Sequence, residues 1–291
     1  MVPVARASGG VPLRLLVTGA GGGLGRAFLD QVPRHHDVAA LTHADLDVGD
    51  HHAVMRAVIP LRPEAILNLA AMTDVDGCET WPAEAYRANA AGPWNLALAA
   101  RRIDAMLLHV STDYVFDGRK NAPYDELDRP DPLGAYGRSK LGGEERLRAV
   151  LPEHFVVRTS YVFGAGDDYV SKAVDRLANL QAAGAIADCV GSPTYVRHLA
   201  ARLVPLVLTG RFGTYHLAGP NPASRHELLW RIKAMAGLPG ELREQRVDDL
   251  GLEAARPRNS SLVSLFLAET GIPPMPPLED AVKELIDARN G

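Results

Sequence analysis

Short apolar runs alternate with segments of helical spacing through the first half of the chain. Apolar residues recur at Leu24, Phe28 and Val32, which predicts a helix directly after the first run. Strands are predicted at 13–18, 38–41, 65–70, 105–110 and 155–158, and further helices at 51–59, at 83–101 and from residue 136. Because parallel neighbours need long crossover connections, this alternation predicts an α/β fold with a doubly wound parallel sheet.

The pattern changes after Gly164, where glycine and proline cluster at 191–193, 219–222 and 273–277. We therefore predict a flexible tail over 1–12 and a dinucleotide-binding Rossmann core over 13–165. Residues 166–291 are predicted to form mainly a smaller C-terminal substrate-binding lobe, some of whose segments return to the core. A hydrophobic content of 47% is typical of a globular protein of this size.

Charge and cysteine usage narrow the class of protein. The 31 basic and 35 acidic residues are interspersed, so no electrostatic footprint of a nucleic-acid binder is predicted. The first dozen residues lack the apolar segment of a signal peptide, and no apolar stretch reaches the length of a membrane span. The two cysteines, Cys78 and Cys189, form neither a CxxC nor a zinc-ligand spacing. We predict a cytoplasmic protein with a small-molecule ligand and neither a nucleic-acid nor a membrane partner.

A glycine-rich turn joins the first strand to the first helix. Gly19, Gly22 and Gly25 give G-x-x-G-x-x-G in this position, where glycine lets the backbone approach a pyrophosphate. Gly23 and Leu24 complete the predicted dinucleotide contacts at the turn. The alternative is that the glycines merely connect the two elements.

The tip of the second strand bears on which nicotinamide cofactor binds. NAD sites usually carry an acidic residue there, which bonds the ribose 2′-hydroxyl, but this tip carries Thr42 and His43. A 2′-phosphate then has room, and Thr42, His43 or Arg26 is placed to contact it. We predict NADPH, with NADH as the alternative, and assign Asp45 and Leu46 to the border of the adenine.

Tyr136 and Lys140 are four residues apart in a helical stretch, so they share one face, and Thr112 follows a buried strand. A phenol has a pKa near 10, which a neighbouring ammonium lowers. We predict that Tyr136 donates a proton to the alkoxide of a reduced ketone and that Thr112 bonds its oxygen. Lys140 is predicted to lower the pKa of the phenol and to hold the nicotinamide ribose. The same spacing also occurs on ordinary helix surfaces. The catalytic interpretation is favoured because the glycine turn, the strand end at Thr112 and the pair Tyr136 and Lys140 follow one another along the chain.

Several sequence blocks resemble the extended short-chain dehydrogenase/reductase family, in its dTDP-4-dehydrorhamnose reductase branch. These blocks are TGAGGGLG, NLAAMTDVDGCE, YRANAAGPWNLA, HVSTDYVFDG, YGRSK, VVRTSYVFG, GSPTYV and ARPRNSSL. The resemblance spans about 17–262 and implies reduction of the 4-keto group of a dTDP-6-deoxy-4-keto-L-hexose, the last step of dTDP-L-rhamnose formation. It also implies a homodimer.

The resemblance assigns roles residue by residue. Thr112, Tyr136 and Lys140 match the catalytic trio of the family. Residues matching those that line the cofactor are Ala70, Ala71 and Thr73. Residues matching those near the nucleotide sugar are Thr112, Asp113, Tyr114, Tyr161, Ser192, Pro193, Arg256 and Asn259, with Arg256 suited to a diphosphate.

Departures from the family pattern affect the predicted sugar and metal. Cys189 stands where glutamine is usual, and Tyr161 and Phe163 replace tryptophan and tyrosine. Ala27 replaces the magnesium-binding glutamate of the branch, so no metal is predicted. We predict that Cys189 is a buried small residue and not a reactive thiol.

Other functions fit the same fold. A reductase for another nucleotide deoxysugar is the nearest alternative, because selectivity rests on a few pocket contacts. A 4,6-dehydratase is disfavoured because Tyr114, and not a glutamate, follows Asp113. A non-catalytic subunit, like the regulatory subunit of methionine adenosyltransferase, is a further alternative that the intact trio disfavours.

Overall fold

Six parallel strands form the central sheet of the computed structural model, which describes residues 12–290. The strands of the described chain are β1 (Arg14–Thr18), β2 (Asp37–Leu41), β3 (Ala65–Asn68), β4 (Met106–Thr112), β5 (His154–Thr159), β6 (Val162–Phe163), β7 (Ala183–Ile186), β8 (Val190–Gly191), β9 (Thr194–Tyr195), β10 (Gly213–His216), β11 (Ala223–Ser224) and β12 (Leu242–Gln245). The order in the central sheet is β2, β1, β3, β4, β5, β10. This confirms the predicted doubly wound parallel sheet. The predicted tail, apart from residue 12, lies outside the described residues.

Helices connect the strands and cover the sheet. They are α1 (Gly23–Leu29), α2 (His51–Leu61), α3 (Val75–Thr80), α4 (Pro82–Tyr86), α5 (Gly92–Arg102), α6 (Ala135–Val150), α7 (Tyr169–Ala178), α8 (Val196–Leu208), α9 (Arg225–Ala236) and α10 (Leu278–Asn290). A π-helical turn, Arg87–Ala91, joins α4 to α5, so the single helix predicted over 83–101 contains a π-bulge. Within the described residues, no helix is both long and apolar enough for a membrane crossing.

The sheet is buried on both faces, as parallel sheets are. Leu15 and Val17 of β1 point into the core formed with α1 and α7–α10, whereas Leu16 points into the core formed with α2, α5 and α6. This alternation explains why the strands are continuous apolar runs in the sequence. It also places Thr18, which has the parity of Leu16, on the face covered by α6.

The second half of the chain contributes to the same sheet. Strand β10 pairs in parallel with β5, from Gly213 opposite Phe155 to His216 opposite Arg158. The remaining short strands form the pairs β6–β9, β7–β12 and β8–β11. The predicted division at residue 165 stays a prediction, since one segment beyond it completes the central sheet.

The strand order fixes where a ligand site lies. The chain runs from β1 to β2 on one side and then crosses to β3 on the other, so the carboxyl ends of β1 and β3 border a crevice. The glycine turn follows β1. Thr112 is the last residue of β4, which is the parallel neighbour of β3. The topology therefore brings the turn and Thr112 to one edge of the sheet.

Candidate active site

A cavity of about 560 Å³ opens at this edge of the sheet. It runs from the glycine turn to the start of α6. The predicted site residues that line it are Gly22, Gly23, Leu24, Gly25, Ala71, Thr73, Thr112, Asp113, Tyr114, Tyr136, Lys140 and Tyr161. The structure thus brings the predicted catalytic trio and most of the predicted cofactor contacts into one space.

The glycine turn has no room for side chains. Gly19 has φ +70°, and a Cβ there would lie 2.6 Å from the Ala70 nitrogen. A Cβ at Gly25 would lie 2.3 Å from the Gly19 carbonyl oxygen. No side chain caps the start of α1, and Gly22, Gly23 and Gly25 all face the cavity. Bare backbone at this place fits the pyrophosphate of a dinucleotide.

A carboxylate does lie at the tip of β2. Asp45 accepts hydrogen bonds from the Thr42 nitrogen at 2.9 Å and the Thr42 hydroxyl at 2.7 Å, which lower the pKa of Asp45. The prediction of a tip without a carboxylate is therefore wrong, because Asp45 folds back through a turn. Arg26 is also directed elsewhere, since its guanidinium bonds the Gly21 and Ala165 carbonyls and pairs with Asp167.

Asp113 is the centre of a buried hydrogen-bond cluster at the end of β4. It accepts from Thr112 at 3.0 Å, from Ser160 at 2.7 Å and from the Ser260 hydroxyl at 2.5 Å. Burial raises the pKa of Asp113, and these donors oppose the rise. The Thr112 hydroxyl also accepts from the Tyr114 nitrogen at 3.2 Å, so its orientation is fixed.

Lys140 is buried and Tyr136 is half-buried on α6, and both face the cavity. Burial raises the pKa of Tyr136, and a hydrogen bond with Thr112 opposes this. The net shift of the Tyr136 pKa is therefore upward, whereas the sequence predicted a lowering, and the contribution of Lys140 to this pKa stays a prediction. The reason is that burial outweighs the hydrogen bond with Thr112, while Lys140 Nζ donates at 2.6 Å to the Val110 carbonyl.

Residues 13–290 match the family model described as RmlD substrate binding domain. The chain belongs to this family. The match confirms the family resemblance drawn from the sequence blocks.

Curated and structurally characterised proteins are similar to this member of the family over nearly its whole length. A dTDP-4-dehydrorhamnose reductase of Mycolicibacterium smegmatis is 37% identical over 281 residues, which are 94% of this chain and 85% of that protein. A dTDP-4-keto-6-deoxy-D-glucose reductase of Streptomyces niveus is 34% identical over 267 residues, 90% of this chain and 92% of that protein. The solved dTDP-4-dehydrorhamnose reductase of Bacillus anthracis in complex with NADP has a TM-score of 0.92 and 31% identity, covering 96% of this chain and 100% of that one.

Four residues assigned to the nucleotide sugar by the family pattern lie outside the cavity lining: Ser192, Pro193, Arg256 and Asn259. The Ser192 hydroxyl bonds the backbone of residue 262, and the Asn259 amide bonds the backbone carbonyls of residues 120 and 122. Arg256 pairs with Asp76 at 2.7 Å. In this structure the Ser192, Arg256 and Asn259 side chains hold loops together, and substrate contact of all four residues stays a prediction.

Five predicted cofactor contacts also lie outside the lining: Gly19, Thr42, Asp45, Leu46 and Ala70. Gly19 and Ala70 lie behind the turn, against each other. Leu46 is buried in the core formed with α2, α5 and α6. The predicted role of Leu46 at the adenine is therefore accompanied by a packing role that the sequence did not indicate.

Three of the four positions that depart from the family pattern, Cys189, Phe163 and Ala27, are buried, and Tyr161 is half-buried. Cys189 is buried and its thiol pKa is raised by burial, which confirms the prediction of a small buried residue. Phe163 and Ala27 also pack into the core. Within residues 12–290, no group of three or more His, Cys, Asp or Glu side chains is arranged to hold a metal.

Sequence reasoning missed Arg225, the first residue of α9, which lines the cavity beside Tyr161. Its guanidinium lies 4.3 Å from the centroid of the Tyr161 ring, and it makes no ion pair within the described part of the chain. Tyr161 itself has φ +42°, a strained conformation that is typical of functional sites. No local signal marks Arg225, because a basic residue at the start of a helix is common on surfaces.

Proposed function

We propose that this chain is an NADPH-dependent dTDP-4-dehydrorhamnose reductase, which reduces the 4-keto group of a dTDP-6-deoxy-4-keto-L-hexose to a hydroxyl. The observation that carries the proposal is the convergence of Thr112, Tyr136 and Lys140 in the cavity that continues to the glycine turn. The names of the M. smegmatis and B. anthracis relatives support this substrate, and the NADP in the latter structure supports the cofactor.

The chemistry assigns one task to each side chain. A bound nicotinamide supplies the hydride that the keto carbon takes up. Tyr136 donates its proton to the oxygen that gains negative charge, and Thr112 bonds the same oxygen. Lys140 holds the ribose hydroxyls of the cofactor and stabilises the phenolate that Tyr136 becomes. Asp113 holds Thr112 in place through the buried bond between them.

A panel of nucleotide 4-keto sugars tests the proposal. Each sugar is incubated with NADPH and with NADH, oxidation is followed by absorbance, and the configuration of the new alcohol is determined by NMR. The proposal expects the fastest turnover with dTDP-4-dehydrorhamnose and an L-rhamnose product. Faster turnover of another sugar supports the alternative of a different deoxysugar reductase, which the S. niveus relative favours. Cofactor binding without any turnover supports the non-catalytic subunit.

The Asp45→Asn variant is expected to favour NADPH. The Asp45 carboxylate lies at the tip of β2, where it repels a 2′-phosphate, so its neutralisation lowers KM for NADPH several-fold and leaves KM for NADH nearly unchanged. Steady-state kinetics with both cofactors at low and high salt measure this, and the gain shrinks at high salt. The matched control is Asp249→Asn, which neutralises an exposed carboxylate outside the cavity. An equal gain in both variants contradicts the assignment.

We further propose that the protein is a cytoplasmic homodimer. The segment from α4 to α5 exposes Trp81, Tyr86 and Trp94, with relative accessibilities of 58%, 38% and 42%. Exposed aromatic side chains in one segment are typical of protein interfaces. Light scattering coupled to size-exclusion chromatography tests this, and a Trp81→Glu variant that is dimeric like the wild type argues against this surface.

A further inference from the structure

Three buried polar side chains form a row across the central sheet. Thr18 lies opposite Asn68 in the register of β1 and β3, and Asn68 lies opposite His109 in the register of β3 and β4. Their exposed fractions are 1%, 0% and 0%. Polar groups at such depth cost free energy unless hydrogen bonds satisfy them, so the row needs a reason beyond packing.

The hydrogen bonds of this row have a fixed direction. The Ala70 nitrogen lies 3.3 Å from Asn68 Oδ1, and a backbone N–H can only donate. Oδ1 is therefore the atom on that side, where it also accepts from the Thr18 hydroxyl at 2.8 Å. Asn68 Nδ2 then faces His109 Nδ1 at 3.0 Å and must donate to it. His109 consequently carries no proton on Nδ1.

A neutral imidazole without a proton on Nδ1 carries it on Nε2. Burial lowers the pKa of His109 well below its usual value, so the ring is neutral. His109 Nε2 lies 3.4 Å from Lys140 Nζ, which donates at 2.6 Å to the Val110 carbonyl. An ammonium group has no lone pair, so it cannot accept a hydrogen bond from the His109 Nε2–H. A neutral amine has a lone pair and can accept this hydrogen bond.

We propose that His109 is a positioning residue for Lys140: through Asn68, the Ala70 nitrogen holds the imidazole as its Nε2–H tautomer, and this N–H favours the neutral amine of Lys140 in the protein alone. Thr18 strengthens the hold on Asn68 but does not set its direction, because a hydroxyl can donate or accept. The tautomer is thus decided by one backbone group, the Ala70 N–H that follows β3, the strand next to the one that carries His109.

The other groups around Lys140 act in both directions. Burial lowers the pKa of Lys140 to about 8, against the opposing influence of Glu144 on α6 and Cys78 on α3. The Glu144 carboxylate also pairs with Arg158 and Arg148, which weakens its influence on Lys140 without removing it. Tyr136 on α6 is neutral, because burial raises its pKa. No neighbour in the described chain therefore offsets the His109 N–H fully.

The consequence for the enzyme rests on the proposed function. Ribose hydroxyl oxygens accept hydrogen bonds and the phosphates of a dinucleotide are anionic, so binding of NADPH favours the ammonium form of Lys140. Above pH 8, binding then takes up a proton. The Lys140 ammonium, which stabilises the Tyr136 phenolate, therefore forms when the cofactor binds.

NMR of the protein alone tests the tautomer and the amine. The 15N shifts of selectively labelled histidine report which His109 nitrogen is protonated, and 13C shifts of labelled lysine report the titration of Lys140, one of only five lysines. We expect Nε2–H and a Lys140 pKa of about 8 in the wild type. In Asn68→Leu the imidazole is free to turn its Nε2 lone pair to Lys140, and the Lys140 pKa is expected to rise by about one unit. The control Thr18→Val keeps the Ala70 contact and is expected to change neither signal.

A wild-type spectrum with the His109 proton on Nδ1 overturns the inference, whether or not the Asn68→Leu variant folds. A changed tautomer in Asn68→Leu with an unchanged Lys140 titration also overturns it. Calorimetry of NADPH binding at pH 9 in buffers of different ionisation enthalpy adds a second readout, with an uptake of about one proton expected. Failure of NADPH to bind contradicts the proposed function but leaves the tautomer result standing.

Discussion

Replacing Tyr136 by phenylalanine is expected to lower kcat by about a thousandfold, within the range that general acid catalysis contributes. The variant keeps the ring that packs edge-on against Tyr114 at 5.8 Å but has no proton to donate to the nascent alkoxide. Because the glycine turn and Lys140 are untouched, the affinity for NADPH is expected to change by no more than a few-fold. Steady-state kinetics and fluorescence titration with NADPH measure the two quantities separately.

The control for this substitution is Tyr195→Phe, which removes a hydroxyl from a buried tyrosine outside the cavity. It is expected to retain wild-type kcat. Retention of more than a tenth of the activity in Tyr136→Phe contradicts the assigned proton donor. An equal loss in both variants indicates a general effect of the substitution on the fold.

The Glu144→Gln variant is expected to lower the free energy of unfolding by about 3–5 kcal/mol, the usual cost of breaking a buried ion pair on one side. Glu144 is fully buried and accepts from Arg158 Nη2 at 2.7 Å and from the Ser111 hydroxyl at 2.6 Å. Neutralising it leaves the buried Arg158 guanidinium without its counter-charge. Urea denaturation followed by circular dichroism measures the loss.

The matched control is Glu145→Gln, the next residue of α6, whose side chain is exposed. Surface substitutions of this kind change stability by about 0.5 kcal/mol or less. Equal stabilities of the two variants contradict the assigned role of Glu144.

The stability difference between wild type and Glu144→Gln also depends on pH. Burial alone would raise the pKa of Glu144, but Arg158 and Arg148 lower it overall. A carboxylate with a lowered folded-state pKa contributes stability above its unfolded pKa and loses it as the pH falls through the folded value. The difference in free energy of unfolding between wild type and variant is therefore expected to be constant near neutral pH and to decrease at acidic pH. Unfolding curves at neutral and acidic pH check this sign.

Loss of Glu144 is also expected to reach the active site. Ser111, which Glu144 holds, directly precedes Thr112 on β4. Movement of this strand end displaces the Thr112 hydroxyl, which we propose bonds the keto oxygen. The variant therefore links a stability measurement to a kinetic one, and its kcat is best measured at a temperature where it remains folded.

The central sheet was predictable from the sequence because the patterns that specify its strands and helices are local. An apolar run buried on both faces, followed by a glycine turn and a helical period, specifies a βα unit without reference to distant residues. β10 was not predicted, because its four residues, Gly213–His216, are too few and too mixed to stand out. It is a strand only because β5 offers an unpaired edge.

The convergence of the candidate catalytic trio was likewise predictable, since the four-residue spacing of Tyr136 and Lys140 and the strand end at Thr112 are local features. The environment of these side chains was not predictable. The prediction that Lys140 lowers the pKa of Tyr136 treated the pair as if in water, whereas burial dominates both groups in the fold.

The sequence by itself determined the parallel sheet, the glycine turn and the candidate catalytic side chains, because each depends on residues within one turn or one strand. Only the tertiary structure decided that Asp45 folds back to the tip of β2, that Arg256 pairs with Asp76 while Arg225 faces the cavity, and that His109 meets Lys140. These contacts join residues on different elements, and the direction of a hydrogen bond or the partner of a charge is fixed only once those elements have packed.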